Sequence, residues 1–252
     1  RTERVVAAIS RNITSVESNA FSILVASLEQ FQSMTTAQQH AVASGISMAK
    51  KLTFKKIVET NDKALLQKLI EAIHQTSYTR EAAMAEEMQF RFDFAKITQD
   101  FNEFKRLALP QASYLMNKTK EELAFETQTA IKNFREDAQA RNLSANSGQY
   151  QLVLSSLEKG AEKATSYQLN DLAWGYVRMA TDVNDLKVAT TWAKHAIELE
   201  ASPANLDTYA HLKYRMNDKK GAIKICKKAI KIAQKQGNSI VSLKESLAEF
   251  KK

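Results

Sequence analysis

Residues 169–237 read LNDLAWGYVRMATDVNDLKVATTWAKHAIELEASPANLDTYAHLKYRMNDKKGAIKICKKAIKIAQKQG, and this stretch repeats itself. A shift of 33 residues places its second half on its first. The apolar positions of the first copy are Ala173, Tyr176, Ala189, Trp192, Ala196 and Ile197, and those of the second copy are Leu206, Tyr209, Ala222, Ile225, Ala229 and Ile230. A fixed period of this length predicts an internal repeat of helical hairpins.

Helix start and stop signals divide each copy into two helices. The first pair is predicted at 171–180 and 185–199, and the second at 203–216 and 218–236. Ser202 before Pro203 is typical of a helix start, and Gly237 is typical of a helix end. Ala189, Ala196, Ala222 and Ala229 lie where packed helices approach closely. We therefore predict an all-α fold of stacked antiparallel helical hairpins, a tetratricopeptide-like (TPR-like) α-α superhelix; an ordinary pair of hairpins is the alternative.

The rest of the chain is also expected to be helical. Six glycines and two prolines in 252 residues are few, which favours long helices joined by short polar links. We predict an N-terminal segment of irregular helical hairpins over 1–142, starting with a helix at 2–10. A polar link at 142–149 leads into the TPR-like pairs of 150–252, beginning with a helix at about 150–163. A capping helix at 240–250 closes the array.

Two local features are expected to interrupt the N-terminal helices. Asn61 is predicted to cap the helix that carries Leu65 and Leu69. Pro110 falls inside a helical pattern and is predicted to kink or end that helix at Leu109.

The repeat also resembles a known family. The segments that carry the resemblance are Leu172-Ala173-Trp174, Trp192-Ala193-Lys194-His195-Ala196-Ile197-Glu198-Leu199 and Leu206-Asp207-Thr208-Tyr209-Ala210-His211-Leu212. They are similar to the C-terminal helical, TPR-like region of thioredoxin-fold (thiol-disulfide interchange-like) proteins from Bacteroidetes-type bacteria, and the likeness is looser upstream of residue 170. The resemblance implies an accessory helical region, and a periplasmic or secreted location. In such proteins a thioredoxin domain with a Cys-x-x-Cys motif precedes the helices, and this chain contains no such motif.

Positive charge is concentrated near the C-terminus. Residues 203–252 carry 12 Lys and Arg against 4 Asp and Glu, whereas the rest of the chain is balanced at 24 against 24. Five lysines recur at helical spacing and form a candidate basic face: Lys220, Lys224, Lys227, Lys231 and Lys235. This face could bind an anionic partner, or it could be a solvated surface whose lysine stems shield apolar side chains. The stripe holds neither arginine nor aromatic residues, which argues against nucleic acid.

Searches for catalytic, metal and cofactor motifs give no candidate. His40, His74, His195 and His211 stand singly, so no metal site and no cofactor is expected. Cys226 lies among apolar neighbours and is predicted to be a core residue with an ordinary or raised pKa. No apolar run reaches the length of a membrane span. The chain begins at Arg1, so its compartment cannot be read from a leader sequence.

A binding groove is predicted on the first helices of the two repeats, which line the concave side of such arrays. Asp171, Trp174 and Arg178 face this side in the first repeat, and Asp207, His211 and Tyr214 do so in the second. Trp, Arg, His and Tyr together are typical of binding hot spots. The alternative is structural, with Trp174 in the core and Asp207 bonded to backbone donors.

Three hypotheses about function follow. The preferred one is a non-catalytic interaction or scaffold module for a protein or peptide partner, working with a thioredoxin-like redox domain. The second is an anion- or nucleic-acid-binding protein that uses the lysine face. The third is an enzyme with an unfamiliar site, which a deep pocket lined by ionisable groups would indicate. The identity of the partner and the oligomeric state stay open.

Overall fold

A computed structural model of the chain describes residues 8–9, 12–158 and 160–252. Over these ranges the fold contains 12 α-helices, a 3₁₀ helix at Leu28–Ser33 and no strand. The helices are α1 (Asn19–Ser27), α2 (Thr36–Thr60), α3 (Lys63–Thr76), α4 (Arg80–Thr98), α5 (Phe101–Met116), α6 (Lys120–Ala140), α7 (Gly148–Leu157), α8 (Gly160–Met179), α9 (Val183–Leu199), α10 (Pro203–Arg215), α11 (Lys219–Lys235) and α12 (Val241–Phe250). The predicted all-α class is confirmed.

The helices form two compact units, residues 1–100 and residues 101–252. The predicted polar link, 142–149, lies inside the second unit and joins α6 to α7. Because α6 packs against both α7 and α8, the helices on the two sides of this link share one unit.

The first unit packs α1 to α4 around one apolar core. Phe21, Leu24, Leu69, Ile73 and Phe94 are among its buried side chains. Helix starts follow local capping chemistry, since the hydroxyls of the residues preceding α1, α2 and α4 each accept a backbone N–H: Ser18, Thr35 and Thr79. The predicted helix at 2–10 lies largely outside the described residues.

The predicted cap at Asn61 is wrong by one residue. Asp62 is the cap, and its Oδ1 accepts the N–H of Leu65 at 2.9 Å. Asn61 instead ends α2 with φ +52°, a left-handed conformation that Asn tolerates better than most residues. Asn61 therefore ends α2, and the adjacent Asp62 starts α3.

Helix α5 continues through Pro110, so of the two alternatives predicted at Leu109, a kink or an end, the end is wrong. Pro110 is exposed, which leaves the carbonyl that lost its helical partner open to water. On the opposite side of the helix Leu107 and Ala108 before the proline, and Ala112 and Leu115 after it, are all buried. This packing holds both turns in one helix.

The repeat forms two hairpins within the second unit, α8–α9 and α10–α11. Helix α10 contacts both α8 and α9, so the hairpins stack and their first helices are neighbours. The four predicted contact alanines are completely buried: Ala189, Ala196, Ala222 and Ala229. Helix α8 begins at Gly160 rather than at residue 171, where the first helix of the repeat was predicted, and α7 ends at Leu157 rather than near residue 163.

A buried polar network ties three of these helices together. Asn205 Nδ2 donates to Ser166 Oγ at 2.8 Å and to the carbonyl of Glu200 at 2.6 Å. The Ser166 hydroxyl in turn donates to the carbonyl of Ala196 at 2.8 Å. These bonds satisfy polar groups that would be costly to bury unpaired, and they fix α8, α9 and α10 in one arrangement.

An aromatic cluster joins α5 to the first hairpin. The Tyr176 ring lies 5.0 Å from that of Phe101 and 4.8 Å from that of Trp192, both in edge-to-face geometry. Gly175 makes the approach possible, since a Cβ at this position would lie 2.1 Å from the nearest atom of the Phe104 ring. Phe104 is fully buried and cannot move aside easily.

We predict that Gly175→Ala destabilises the protein. The added methyl group collides with Phe104, and overpacking of this kind costs about 1–3 kcal/mol, which outweighs the gain of roughly 1 kcal/mol in helix propensity. The free energy of unfolding in urea, followed by circular dichroism, measures the effect.

The matched control is Gly148→Ala, at the start of α7, where nothing lies within 4 Å of the new methyl group. That substitution should be neutral or should stabilise the protein by up to about 1 kcal/mol. Equal stability of the Gly175 variant and the wild type would show that α5 and α8 can separate at little cost.

Candidate functional site

The structure brings most of the predicted groove residues together, but partly buries them. The Trp174 ring meets the His211 ring edge to face at 5.2 Å between centroids, so α8 and α10 do share a surface. Asp171, Asp207 and Tyr214 are also partly buried. Arg178 is the exposed member of the set.

The C-terminal helix covers the second-repeat half of this groove. Phe250 on α12 is completely buried, and its ring centroid lies 4.8 Å from that of His211 and 4.9 Å from that of Tyr214. The capping helix predicted at 240–250 therefore contacts α10 as well as α11. Two of the predicted groove side chains, His211 and Tyr214, hold α12 in place.

Asp207, His211 and Ser246 form a polar cluster between α10 and α12. His211 Nε2 lies 3.1 Å from Ser246 Oγ and 3.8 Å from Asp207 Oδ1. A catalytic serine, histidine and aspartate would use both ring nitrogens of the histidine, whereas here one nitrogen makes both contacts. The Ser246 hydroxyl also donates to the carbonyl of Ser242 at 3.2 Å. The cluster thus positions α12 rather than activating a nucleophile.

Burial gives Asp207 an unusual protonation behaviour. Desolvation raises the pKa of this carboxyl group, and the nearby His211 only partly offsets that effect. Its Oδ1 is buried without a hydrogen-bond partner. Ionisation of Asp207 in the covered groove is therefore unfavourable and lowers the stability of the folded protein.

The basic face is exposed along its whole length. Lys220, Lys224, Lys227, Lys231 and Lys235 are all solvent-accessible, and none forms an ion pair with a described residue. The other side of α11 is buried through Ala222, Cys226, Ala229 and Ala233.

Cys226 is a core residue, as predicted. It is fully buried, and its thiol donates to the carbonyl of Leu243 at 3.2 Å. Burial, with a smaller effect of the Asp207 carboxylate, raises the pKa of the Cys226 thiol to about 11.

A cleft between α5 and α6 is a concave surface that the sequence did not predict. Its volume is about 940 Å³. Tyr114 on α5 and Phe125 on α6 line it and are 63% and 70% exposed. Four charged residues also line the cleft: Lys118, Glu121, Glu122 and Glu126.

Local sequence builds the two walls of this cleft. Thr119 caps α6 through a capping box, in which its hydroxyl accepts the N–H of Glu122 at 3.1 Å and the Glu122 carboxylate accepts the N–H of Thr119 at 2.7 Å. The buried faces of the two helices, represented by Leu115 on α5 and Leu123 on α6, point away from the cleft. Phe125 and Tyr114 lie off these apolar stripes, and that position is the signal from which the sequence could have identified them.

The electrostatics of the cleft are dominated by carboxylates. Lys118 is the one basic residue among its lining side chains, and three glutamates oppose it. The Lys118 ammonium lies 5.2 Å from the centroid of the Tyr114 ring and donates to both carboxylate oxygens of Glu126, at 2.7 and 2.8 Å. The cleft thus combines aromatic walls with net negative charge, on a chain whose formal charge is +8.

Comparisons with known proteins identify no relative of this chain. No protein-family model matches the chain, and neither a curated protein nor a solved structure matches it. Within the described ranges, no three His, Cys, Asp or Glu side chains converge as metal ligands would. None of the helices there combines the length and hydrophobicity needed to cross a bilayer.

We predict that Asp207→Asn changes how stability depends on pH. A carboxyl group whose pKa is higher in the folded state binds its proton more tightly there, so its contribution to the free energy of unfolding is fully present below the unfolded-state value of 3.8 and is lost as the pH rises through the folded-state pKa. Asparagine cannot ionise and escapes this loss. Urea unfolding from pH 4 to pH 7 should show the variant gaining stability relative to the wild type as the pH rises, whereas parallel profiles would contradict the prediction.

Proposed function

We propose that this chain is a non-catalytic protein-interaction module that binds a peptide segment of its partner in the cleft between α5 and α6. One observation carries the proposal: two large aromatic side chains, Tyr114 and Phe125, line an open cleft and are each more than 60% exposed. Aromatic residues placed in this way are typical of interaction sites, because they bury much apolar area when a partner covers them.

The covered groove on α8 and α10 supports the choice of the cleft. A partner that used His211 and Tyr214 would first have to displace α12 and expose Phe250, which is now completely buried. Exposing a buried phenylalanine costs about 1.5–3 kcal/mol. Binding in the cleft carries no such cost, since its aromatic walls already face solvent.

The resemblance of the repeat to helical regions of thioredoxin-fold proteins suggests the setting of this module. We propose that it is the accessory helical region of such a redox protein, in a periplasmic or secreted location. In that setting the helices would bring a protein partner to the redox domain and carry out no redox step themselves. The buried thiol of Cys226, with its raised pKa, agrees with a purely structural role for that residue.

A displayed library of random peptides tests the cleft directly. We expect the library to yield binders, and fluorescence anisotropy with a labelled selected peptide should show a loss of about tenfold or more in Tyr114→Ala, Phe125→Ala, since aromatic hot spots are worth at least about 1–2 kcal/mol each. The double variant should keep its helical circular dichroism because both side chains are exposed.

The matched control replaces two other exposed apolar side chains of the second unit, in the variant Leu152→Ala, Tyr167→Ala. These side chains are 71% and 72% exposed and do not line the cleft. Peptide affinity should be unchanged in this control. If both double variants lost affinity for the peptide to the same extent, the cleft would not be the binding site. The same would follow if both double variants bound the peptide as tightly as the wild type does.

The lysine face supports a second candidate function, the binding of an anionic partner. Its five exposed ammonium groups lack ion-pair partners among the described residues, so they add to an unbalanced positive surface. Lipid surfaces and acidic proteins fit this chemistry better than nucleic acid does, because the face has no arginine or aromatic side chain for phosphate forks or base stacking.

A salt titration tests this second function. We expect binding to vesicles that contain an anionic lipid to weaken steeply with salt, and Lys224→Gln, Lys227→Gln, Lys231→Gln to reduce it by roughly 3 kcal/mol, at about 1 kcal/mol per lysine. The control variant Lys51→Gln, Lys55→Gln, Lys56→Gln removes three exposed charges from α2 and should bind almost as the wild type does. Absence of binding at low salt would exclude the candidate.

A further inference from the structure

We propose that the cleft between α5 and α6 recognises a basic side chain, lysine or arginine, that is flanked by apolar residues in the partner peptide. The cationic group would lie against the Tyr114 and Phe125 rings and close to the glutamates of α6. This inference rests on the proposed function and specifies the chemistry of the occupant.

The chain's own Lys118 provides an internal precedent. Its ammonium group already lies 5.2 Å from the Tyr114 ring centroid while the Glu126 carboxylate accepts two hydrogen bonds from it. A cation between an aromatic face and a carboxylate is therefore a stable arrangement in this cleft. The Lys118 side chain is only 12% exposed, whereas Tyr114 and Phe125 stay more than 60% exposed and can be covered by a peptide.

Two carboxylates that line the cleft are exposed and are not paired with a cation in the part of the chain that the structure describes. Glu121 is exposed and makes no hydrogen bond or ion pair with any described residue. Glu122 uses one oxygen to cap α6, through the N–H of Thr119, and its side chain is otherwise exposed. Since Lys118 is already paired with Glu126, these two carboxylates are the groups that attract a second cation.

Phe125 supplies the second aromatic surface. It lies on the same helix as the glutamates, is 70% exposed, and lines the cleft together with Tyr114. A lysine or arginine stem buries its methylene groups against such rings while its charged end reaches the carboxylates. An acidic segment would meet three carboxylates and be repelled, so charge complementarity selects a basic peptide.

Selected library peptides give the first test. We expect a lysine or arginine to be enriched at one position next to apolar residues. Replacing that residue by norleucine, which keeps the aliphatic stem and removes the charge, should weaken binding about tenfold, the effect of roughly 1.4 kcal/mol. Replacing it by glutamate should abolish binding.

The protein-side test uses Glu121→Gln, Glu122→Gln. Glutamine at position 122 can still complete the capping box, so helix α6 should keep its start. The affinity of the lysine peptide should fall to that of the norleucine peptide, which should itself be unaffected. The matched control Glu245→Gln, Glu249→Gln removes two exposed charges from α12 and should leave both affinities unchanged.

The variant Lys118→Met distinguishes a site for a basic peptide from a site for an acidic peptide. Removing the resident ammonium frees Glu126 and the face of Tyr114, so the lysine peptide should bind several-fold more tightly. A site that used Lys118 to hold an acidic peptide would lose affinity in the same variant, which would overturn the proposal.

The remaining outcomes distinguish failure of this inference from failure of the proposed function. Selected peptides without a basic residue, bound in a manner that depends on Tyr114 and Phe125, would overturn the basic-residue inference and leave the peptide site intact. A library without binders would remove both. Concentration-dependent self-association in sedimentation, lost in Tyr114→Ala, Phe125→Ala, would assign the cleft to a second copy of the chain and overturn the proposal.

Discussion

The contact between Gly175 and the ring of Phe104 sets how closely α5 can lie against α8, and the packing of α5 on the first hairpin depends on that distance. A glycine on α8 leaves room for the ring, and the Lys105 ammonium forms an ion pair of 2.6 Å with Asp185 in the first turn of α9. Because α5 packs this face against the first hairpin, Tyr114, on a different face of α5, stays exposed and lines the cleft with α6.

The second unit buries both satisfied and unsatisfied polar groups, and both kinds occur in the stacked hairpins. Asn205 and Ser166 are buried with their hydrogen bonds made, so they add specificity to the stacking of the hairpins. Asp207 is buried with one oxygen unpaired beneath α12. The hydrogen bonds of Asn205 and Ser166 therefore favour one stacking of the hairpins, whereas the buried Asp207 carboxyl group adds an electrostatic penalty that depends on pH.

The second unit carries surfaces of opposite charge on different helices. The cleft places three carboxylates beside exposed aromatic rings, and α11 places five lysines on a face without exposed aromatic residues. Aromatic area supplies binding energy to a peptide partner, whereas a lysine stripe supplies mainly attraction that salt can screen. Because of this difference in chemistry, we propose peptide binding in the cleft as the principal function and anion binding on the lysine face as the second candidate.

The sequence by itself determined features that depend on neighbouring residues: the all-α class, the helix start at Ser202, the hairpins with their buried alanines, and the core position of Cys226. It left two alternatives open at Pro110, a kink or a helix end, and packing excluded the end, because buried side chains before and after the proline keep the helix continuous. Only the tertiary structure decided that Phe250 covers His211 and that Tyr114 and Phe125 share a cleft. The physical reason is that such surfaces depend on the distances and angles between helices far apart in sequence, and no local pattern encodes them.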